Sequence, residues 1–326
     1  MRAVVWLVAG AAVVAALSAC DPFGLPATRA LEAGAKSMLT SSRSFEVAGV
    51  YSASGGDWKV DMQLERPDAR HIVITHQGVT LEAAIIGAEA YFRGPDFLAQ
   101  HLAGNPLGST LVKATGNAWW KDSATLVPSL PNFTDGAEFA STFLGSAVTR
   151  RTDHQTVAGT DAVELSGARA DVFIASAPPF SLLRVHLNKG VVVDGIIDAD
   201  LQYSHVGTEF KIAAPVDVID FGNFSTLPPI YTVVSVDTSA CGSTCIVSAR
   251  LRNLGGMTRA QAPSTVTFTL SDAGSGQKLG SCQTTVQPDV GYNSTTTVSC
   301  TIGVPATNAA VVTATAVNPG RGSSAP

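Results

Sequence analysis

Charge is the scarcest ingredient of this 326-residue chain. Only 14% of the residues are Asp, Glu, Lys or Arg, against roughly a quarter in an average soluble domain. The 21 basic residues are outnumbered by 26 acidic ones, a formal charge of −5, so no basic footprint exists for nucleic acid. Disorder is excluded too, because a chain that is 45% hydrophobic has enough apolar surface to build real cores. Catalytic signatures are missing: no G-x-S-x-G elbow, no H-E-x-x-H helix, no P-loop and no paired-glycine dinucleotide fingerprint. These absences point away from an enzyme, and no cofactor is expected.

Metal ligation is equally poorly served. The six histidines (His71, His76, His101, His154, His186 and His205) are scattered along the chain. His71 and His76 lie five apart in one expected strand, hence on opposite faces, which makes them poor co-ligands. Asp194, Asp198 and Asp200 lie close together but lack the loop glycine and distal glutamate of an EF-hand, so they read as a solvated turn.

The amino terminus carries an export signal. Met1-Arg2 precedes an apolar run from Ala3 to Ala16, the charged n-region and h-region of a secretory leader. The run stops short of the about 20 residues a membrane span needs, at Leu17-Ser18-Ala19-Cys20, which resembles the lipobox of bacterial lipoproteins. That resemblance implies a signal peptide over 1–19, acylation of Cys20, a tether over 20–26, and a lipid-anchored protein on the extracytoplasmic face of the cell membrane. No second apolar stretch reaches spanning length.

The length suggests two domains, and 30 glycines and 17 prolines suit turn-rich β structure. Residues 231–326 carry five basic and three acidic residues and all four remaining cysteines, while the acidic excess lies before them. A boundary is expected at Leu227-Pro228-Pro229, giving domains over 27–229 and 230–319 and a flexible tail over 320–326. In the first region Leu31, Ala35, Met38 and Leu39 recur at helical spacing over 27–41. Strict alternation follows, clearest where Trp58, Val60, Met62 and Leu64 interleave with Lys59, Asp61, Gln63 and Glu65. Helices are expected from Pro95 and over 135–144, and strands over 162–166, 170–175, 182–188 and 199–204. The pattern is α+β, a long antiparallel sheet interrupted by helices.

Several segments carry a family likeness. Ser41-Ser42-Arg43-Ser44-Phe45 ends a helix and enters strands; Gly87 to Gly94 reads Gly-Ala-Glu-Ala-Tyr-Phe-Arg-Gly; Gly116 to Trp120 reads Gly-Asn-Ala-Trp-Trp; and Phe221 to Pro229 closes the region. In this order they resemble the LppX/LprG-type lipoproteins of actinobacteria, relatives of the LolA carrier fold, over residues 27–230. The resemblance implies an antiparallel half-barrel sheet closed by helices over a cavity for acyl chains. Phe45, Trp58, Val60, Met62, Leu64, Ile72, Ile74, Leu81 and Ile85 are the candidate walls. Periodicity alone does not separate a hollow face from a filled core.

The second region predicts six short strands, over 231–238, 245–252, 265–271, 278–286, 296–302 and 310–317, the spacing of an all-β, immunoglobulin-like sandwich. Its inward set is Val247, Ala249, Leu251, Val266, Phe268, Leu270, Val298 and Ile302. Arg252-Asn253-Leu254-Gly255-Gly256 resembles the turn of envelope modules of the CARDB type. Export permits disulfides. A hairpin around Asp289–Tyr292 would set Cys282 opposite Cys300, leaving Cys241 with Cys245; four thiolates on zinc is the alternative, without the usual tight knuckles. The function expected is an envelope lipoprotein that binds or transfers a lipid or lipoglycan. The rival is a structural lipoprotein with a solid core, its sandwich binding an envelope protein partner.

Overall fold

The computed structural model describes residues 25–53, 55–258, 260–303 and 310–321. Chain order begins with helix α1 (Thr28–Ser41), strands β1 (Ser44–Ala53), β2 (Gly56–Glu65), β3 (Ala69–His76), β4 (Val79–Ile86) and β5 (Glu89–Arg93), then helices α2 (Pro95–His101) and α3 (Gly108–Thr115). Strand β6 (Trp120–Asp122) leads to α4 (Pro131–Thr134) and α5 (Gly136–Phe143). Strands β7 (Val148–Val157), β8 (Thr160–Gly167), β9 (Ala170–Ala175), β10 (Leu182–Leu187), β11 (Ile197–Ser204) and β12 (Ile219–Asp220) follow. The last six are β13 (Tyr231–Cys241), β14 (Cys245–Asn253), β15 (Thr265–Asp272), β16 (Lys278–Thr285), β17 (Thr295–Ile302) and β18 (Ala310–Val317). The chain is mixed and strand-rich, with a large sheet and small ones.

Two compact units emerge, each from two stretches of chain: residues up to Ala88 with Ala124–Ala213, and Glu89–Ser123 with residues from Ala214 onward. The second unit thus holds the expected sandwich and also a segment more than a hundred residues upstream of it. Cys20, the expected signal peptide over 1–19 and most of the expected tether lie outside the described residues.

In the first unit nine antiparallel strands run in the order β4-β3-β2-β1-β11-β10-β9-β8-β7. The helix expected over 27–41 forms, burying Leu31, Ala35, Met38 and Leu39. It packs over β9 and β10 and against α5. Gly136 makes that helix crossing possible, since a Cβ there would come within 2.5 Å of the Lys36 carbonyl oxygen. Asp135 starts α5 by accepting from the amides of Ala137 and Glu138, at 2.8 and 3.0 Å; this satisfies two of the helix's unpaired donors. Strand β7 went unforeseen because VTRRTDHQTV is polar and mostly unburied, an outer strand without alternation.

In the second unit β5 and β6 pair antiparallel and β6 pairs parallel with β12. Phe92 and Trp120 are fully buried there, their rings 6.0 Å apart. Gly320 and Arg321, expected to begin a free tail, are held: the Arg321 amide donates to the Ala114 carbonyl at 3.0 Å and Gly320 is buried.

All six sandwich strands form, as two sheets in the orders β13-β14-β17 and β16-β15-β18. Val247, Ala249, Leu251, Val266, Phe268, Leu270 and Ile302 are buried between them, and Val298 is partly buried. The bridges are Cys282–Cys300 and Cys241–Cys245, with Cα atoms 6.2 and 3.8 Å apart. The pairing is the expected one, but its geometry is not: β16 and β17 belong to different sheets, so Cys282–Cys300 joins the two layers rather than two arms of a hairpin. The intervening loop crosses between layers, with the Val286 amide bonded to Ser264 and the Asn293 amide to Asn253.

The Arg252–Gly256 turn is organised by Asn253, which has no exposed surface. Its Oδ1 accepts from the amides of Ile230 (2.9 Å) and Gly255 (3.0 Å). Its Nδ2 donates to the carbonyls of Gly256 (2.8 Å) and Val290 (2.6 Å). One side chain therefore fastens the residues after Pro228-Pro229 to β14. Gly255 and Gly256 follow because any Cβ would meet the Pro228 and Ser225 carbonyls at 2.0 and 1.9 Å.

Candidate functional site

Strand register places all nine candidate wall residues on one face of the large sheet. Phe45 pairs with Leu64, Tyr51 with Trp58, Met62 with Ile72, Val60 with Ile74, and Ile74 with Leu81; direct antiparallel partners share a face. The same face continues through Val47 to Tyr203 and through Leu201 to Val185 and Val172. The Tyr203 hydroxyl donates to the Phe133 carbonyl at 2.9 Å, tying α4 down onto β11. Burial pushes this phenol well above its ordinary pKa, and pushes that of Tyr51 up to about 12.

The nine are not equivalent. Val60 and Ile72 have no exposed surface and Met62 has 1%, so these side chains in the middle of the face are packed. Phe45, Ile74, Leu81 and Ile85 are also buried, whereas Trp58 and Leu64 are partly exposed. Trp58 stacks on His76, ring centroids 4.2 Å apart.

Open space lies at one end of the face. A cavity of about 240 Å³ is lined by Phe45, Leu64, Pro67 and Ala69 from the β1–β3 strands and by Ser129, Pro131 and Thr134 opposite. Charged groups rim it, and most are already committed. Arg66 donates to the carbonyls of Ser42 (3.1 Å) and Leu39; Glu65 pairs with Arg43 at 3.5 Å; Asp135 caps α5. Asp68 is exposed, and the second Glu65 oxygen is buried without a partner. Arg70 differs from the other lining cation: it pairs with Leu64 and Ile85 in register. It therefore springs from the apolar face, half-buried, without a hydrogen bond or ion pair to any described residue. Sequence reading passed over Arg70, although its even-number parity with Ile72 and Ile74 was the available signal.

The opposite face of the sheet is polar. His71 meets Glu82 at 2.9 Å, His205 meets Glu46 at 3.3 Å, and Arg184 Nε donates to Asp200 at 2.6 Å. Burial, then the Glu46 charge, raises the Asp61 pKa. His71 and His76 are on opposite faces, as expected. The three clustered aspartates go separate ways: Asp194 accepts from Asn132, Asp198 from the Gly190 amide, and Asp200 from Arg184. Among the described residues no group of three or more His, Cys, Asp or Glu side chains is placed to hold a metal, and none forms a helix long and apolar enough to cross a membrane.

No family model and no curated protein matches the chain. Among solved structures, the Pseudomonas aeruginosa MucA/MucB complex aligns with a TM-score of 0.30 at 13% identity, covering 85% of this chain and 94% of the other. A structure of MucB in complex with MucA(peri) aligns with a TM-score of 0.27 at 14% identity, covering 85% and 93%. Likeness at that level decides neither fold nor site.

Proposed function

We propose that this chain is a lipid-anchored protein of the bacterial envelope whose large-sheet unit binds a lipid or lipoglycan without covalent chemistry. The observation that carries the reading is the cavity at the end of the apolar face, with the uncommitted Arg70 at its rim. An amphiphile fits that combination: acyl carbons against Phe45 and Leu64, an anionic group on Arg70. At about 240 Å³ the space lies below the about 300–1,000 Å³ of most small-molecule pockets. It suits a headgroup with its first carbons; a longer chain must part the packed middle of the face. Each methylene transferred from water contributes about 0.8 kcal/mol. In this reading the sheet acts as the half-barrel of LolA-type carriers, and acyl groups on Cys20 hold the protein at the membrane. Two disulfides are in keeping with an oxidising, extracytoplasmic compartment.

The full burial of Val60, Met62 and Ile72 favours a second reading, a lipoprotein with a solid first unit whose sandwich engages an envelope protein. Organic extraction of purified Cys20→Ala protein, followed by mass spectrometry, separates the two. Roughly one anionic amphiphile per chain is the expected result. Lipid-free protein that stays lipid-free after exposure to anionic vesicles would overturn the binding proposal and leave the second reading.

A further inference from the structure

A second cavity, of about 300 Å³, lies wholly within the second unit. One wall is α3, which contributes Ser109, Thr110, Lys113 and Ala114, positions that share one side of a helix. The other wall is the sandwich: Ile230 just before β13, Ala316 in β18, and Asn318 just past it.

The walls are fixed. Asn318 Oδ1 accepts from the Tyr231 amide at 2.9 Å and the Ser264 hydroxyl at 3.1 Å, and its Nδ2 donates to the Tyr231 carbonyl at 3.0 Å. This side chain ties the end of β18 to the start of β13. Gly320, at φ +74°, runs so close to the helix that a Cβ would come within 2.2 Å of the Lys113 carbonyl oxygen. Its own carbonyl accepts from the Gln261 amide at 2.7 Å, and the Arg321 amide reaches Ala114. Helix and sandwich are therefore clasped with the cavity between them, and a ligand meets a pre-formed site.

The helix side of the cavity is polar and uncommitted. Ser109, Thr110 and Lys113 are exposed, and their side chains make no hydrogen bond or ion pair to any described residue. Among the described residues lining the cavity Lys113 alone is charged, and no carboxylate is present. The first-unit cavity differs, since Glu65, Asp68 and Asp135 all line it. An ammonium group beside two hydroxyls offers several donors to one oxyanion, and lysine is a common point-charge binder of phosphate. Ile230 and Ala316 opposite offer apolar contact for carbon.

We propose that this cavity binds a small phosphate monoester, its phosphate on Lys113, Ser109 and Thr110 and its carbon skeleton against Ile230 and Ala316. The volume stands at the lower end of the about 300–1,000 Å³ of small-molecule pockets. It takes a short ester and leaves no room for acyl chains, so the ligand is a soluble ester rather than a phospholipid headgroup. The site does not rest on the lipid-binding reading.

Titration of Cys20→Ala protein with glycerol 3-phosphate, followed through amide chemical shifts, tests this in the full chain. Saturable shifts are expected at residues 109–114 and 316–318. Glycerol should cause none, and dihexanoyl phosphatidic acid should bind no better than the free ester. Lys113→Gln should weaken binding about tenfold or more, the worth of a hydrogen bond to a charged group, at an unchanged melting temperature. Arg70→Leu should leave this titration as it is, which separates the site from the first-unit cavity. No saturable shift at tens of millimolar, equal binding by Lys113→Gln, or a response to phosphatidic acid without one to the free ester would overturn the proposal.

Discussion

Arg70 stands directly across from Leu64 on the neighbouring strand, so a guanidinium and an isobutyl group leave the sheet side by side. Nothing described within the protein pairs with that cation. Replacing it with leucine should therefore move stability and binding in opposite directions. Arg70→Leu is expected to gain about 0.5–2 kcal/mol, the range of substitutions that relieve a functional compromise. It should retain less anionic lipid than wild type. Urea unfolding and lipid extraction on the same preparation check both signs.

The middle of the same face is filled, and Met62 is the sensitive place to probe it. Met62→Trp adds bulk where 1% of the side chain is exposed, and overpacking costs about 1–3 kcal/mol. The urea midpoint should fall while bound lipid stays constant, because the cavity lies at the Phe45–Arg70 end. A stable variant with less lipid would show instead that acyl chains reach the centre.

Asn253→Ala removes four hydrogen bonds from a fully buried side chain. At about 1 kcal/mol per bond, and more where a buried partner is stranded, a loss of roughly 3–5 kcal/mol is expected. Asn253→Asp keeps the accepting oxygens but forfeits the donations to Gly256 and Val290, so it should also destabilise. Thermal melts of both variants decide the matter.

Much of this architecture was legible because alternation is a local signal. Strand β2 announces its buried face through Val60 and Met62, and β14 does so through Val247, Ala249 and Leu251. What escaped was non-local. Strand β7 buries too little to alternate. Strands β16 and β17 follow one another in sequence yet enter different layers, so the Cys282–Cys300 pair was found through a hairpin that does not exist. Glu89–Ser123 joins the second unit through partners such as Arg321, more than two hundred residues away, which no linear boundary expresses. Arg70 was legible in principle, since parity alone sets it beside Ile72.

The inter-layer bridge makes its own prediction. Cys282 and Cys300 close a loop of 18 residues, and a crosslink of that span contributes roughly 3 kcal/mol by restricting the unfolded chain. Reduction, or Cys282→Ala with Cys300→Ala, should lower the melting temperature with the native fold retained at 25 °C. An unchanged melt would remove the bridge from the account of stability.

Alkaline pH should destabilise the first unit once it passes the ordinary titration of tyrosine. Tyr51 and Tyr203 keep their protons in the fold beyond the ordinary value of 10, Tyr51 to about 12. The folded state then binds more protons than the unfolded one, so stability is intact below pH 10 and declines as pH rises above it. Phenolate absorbance at these sites should appear together with loss of the circular dichroism signal, and Tyr203→Phe should flatten the decline.

The most direct test of the central claim is a lipid count by native mass spectrometry on Cys20→Ala protein with and without Arg70→Glu, after incubation with anionic vesicles. The account predicts about one lipid per chain in the first and almost none in the second, with both equally folded. Equal lipid on the two proteins, or none on either, would contradict it.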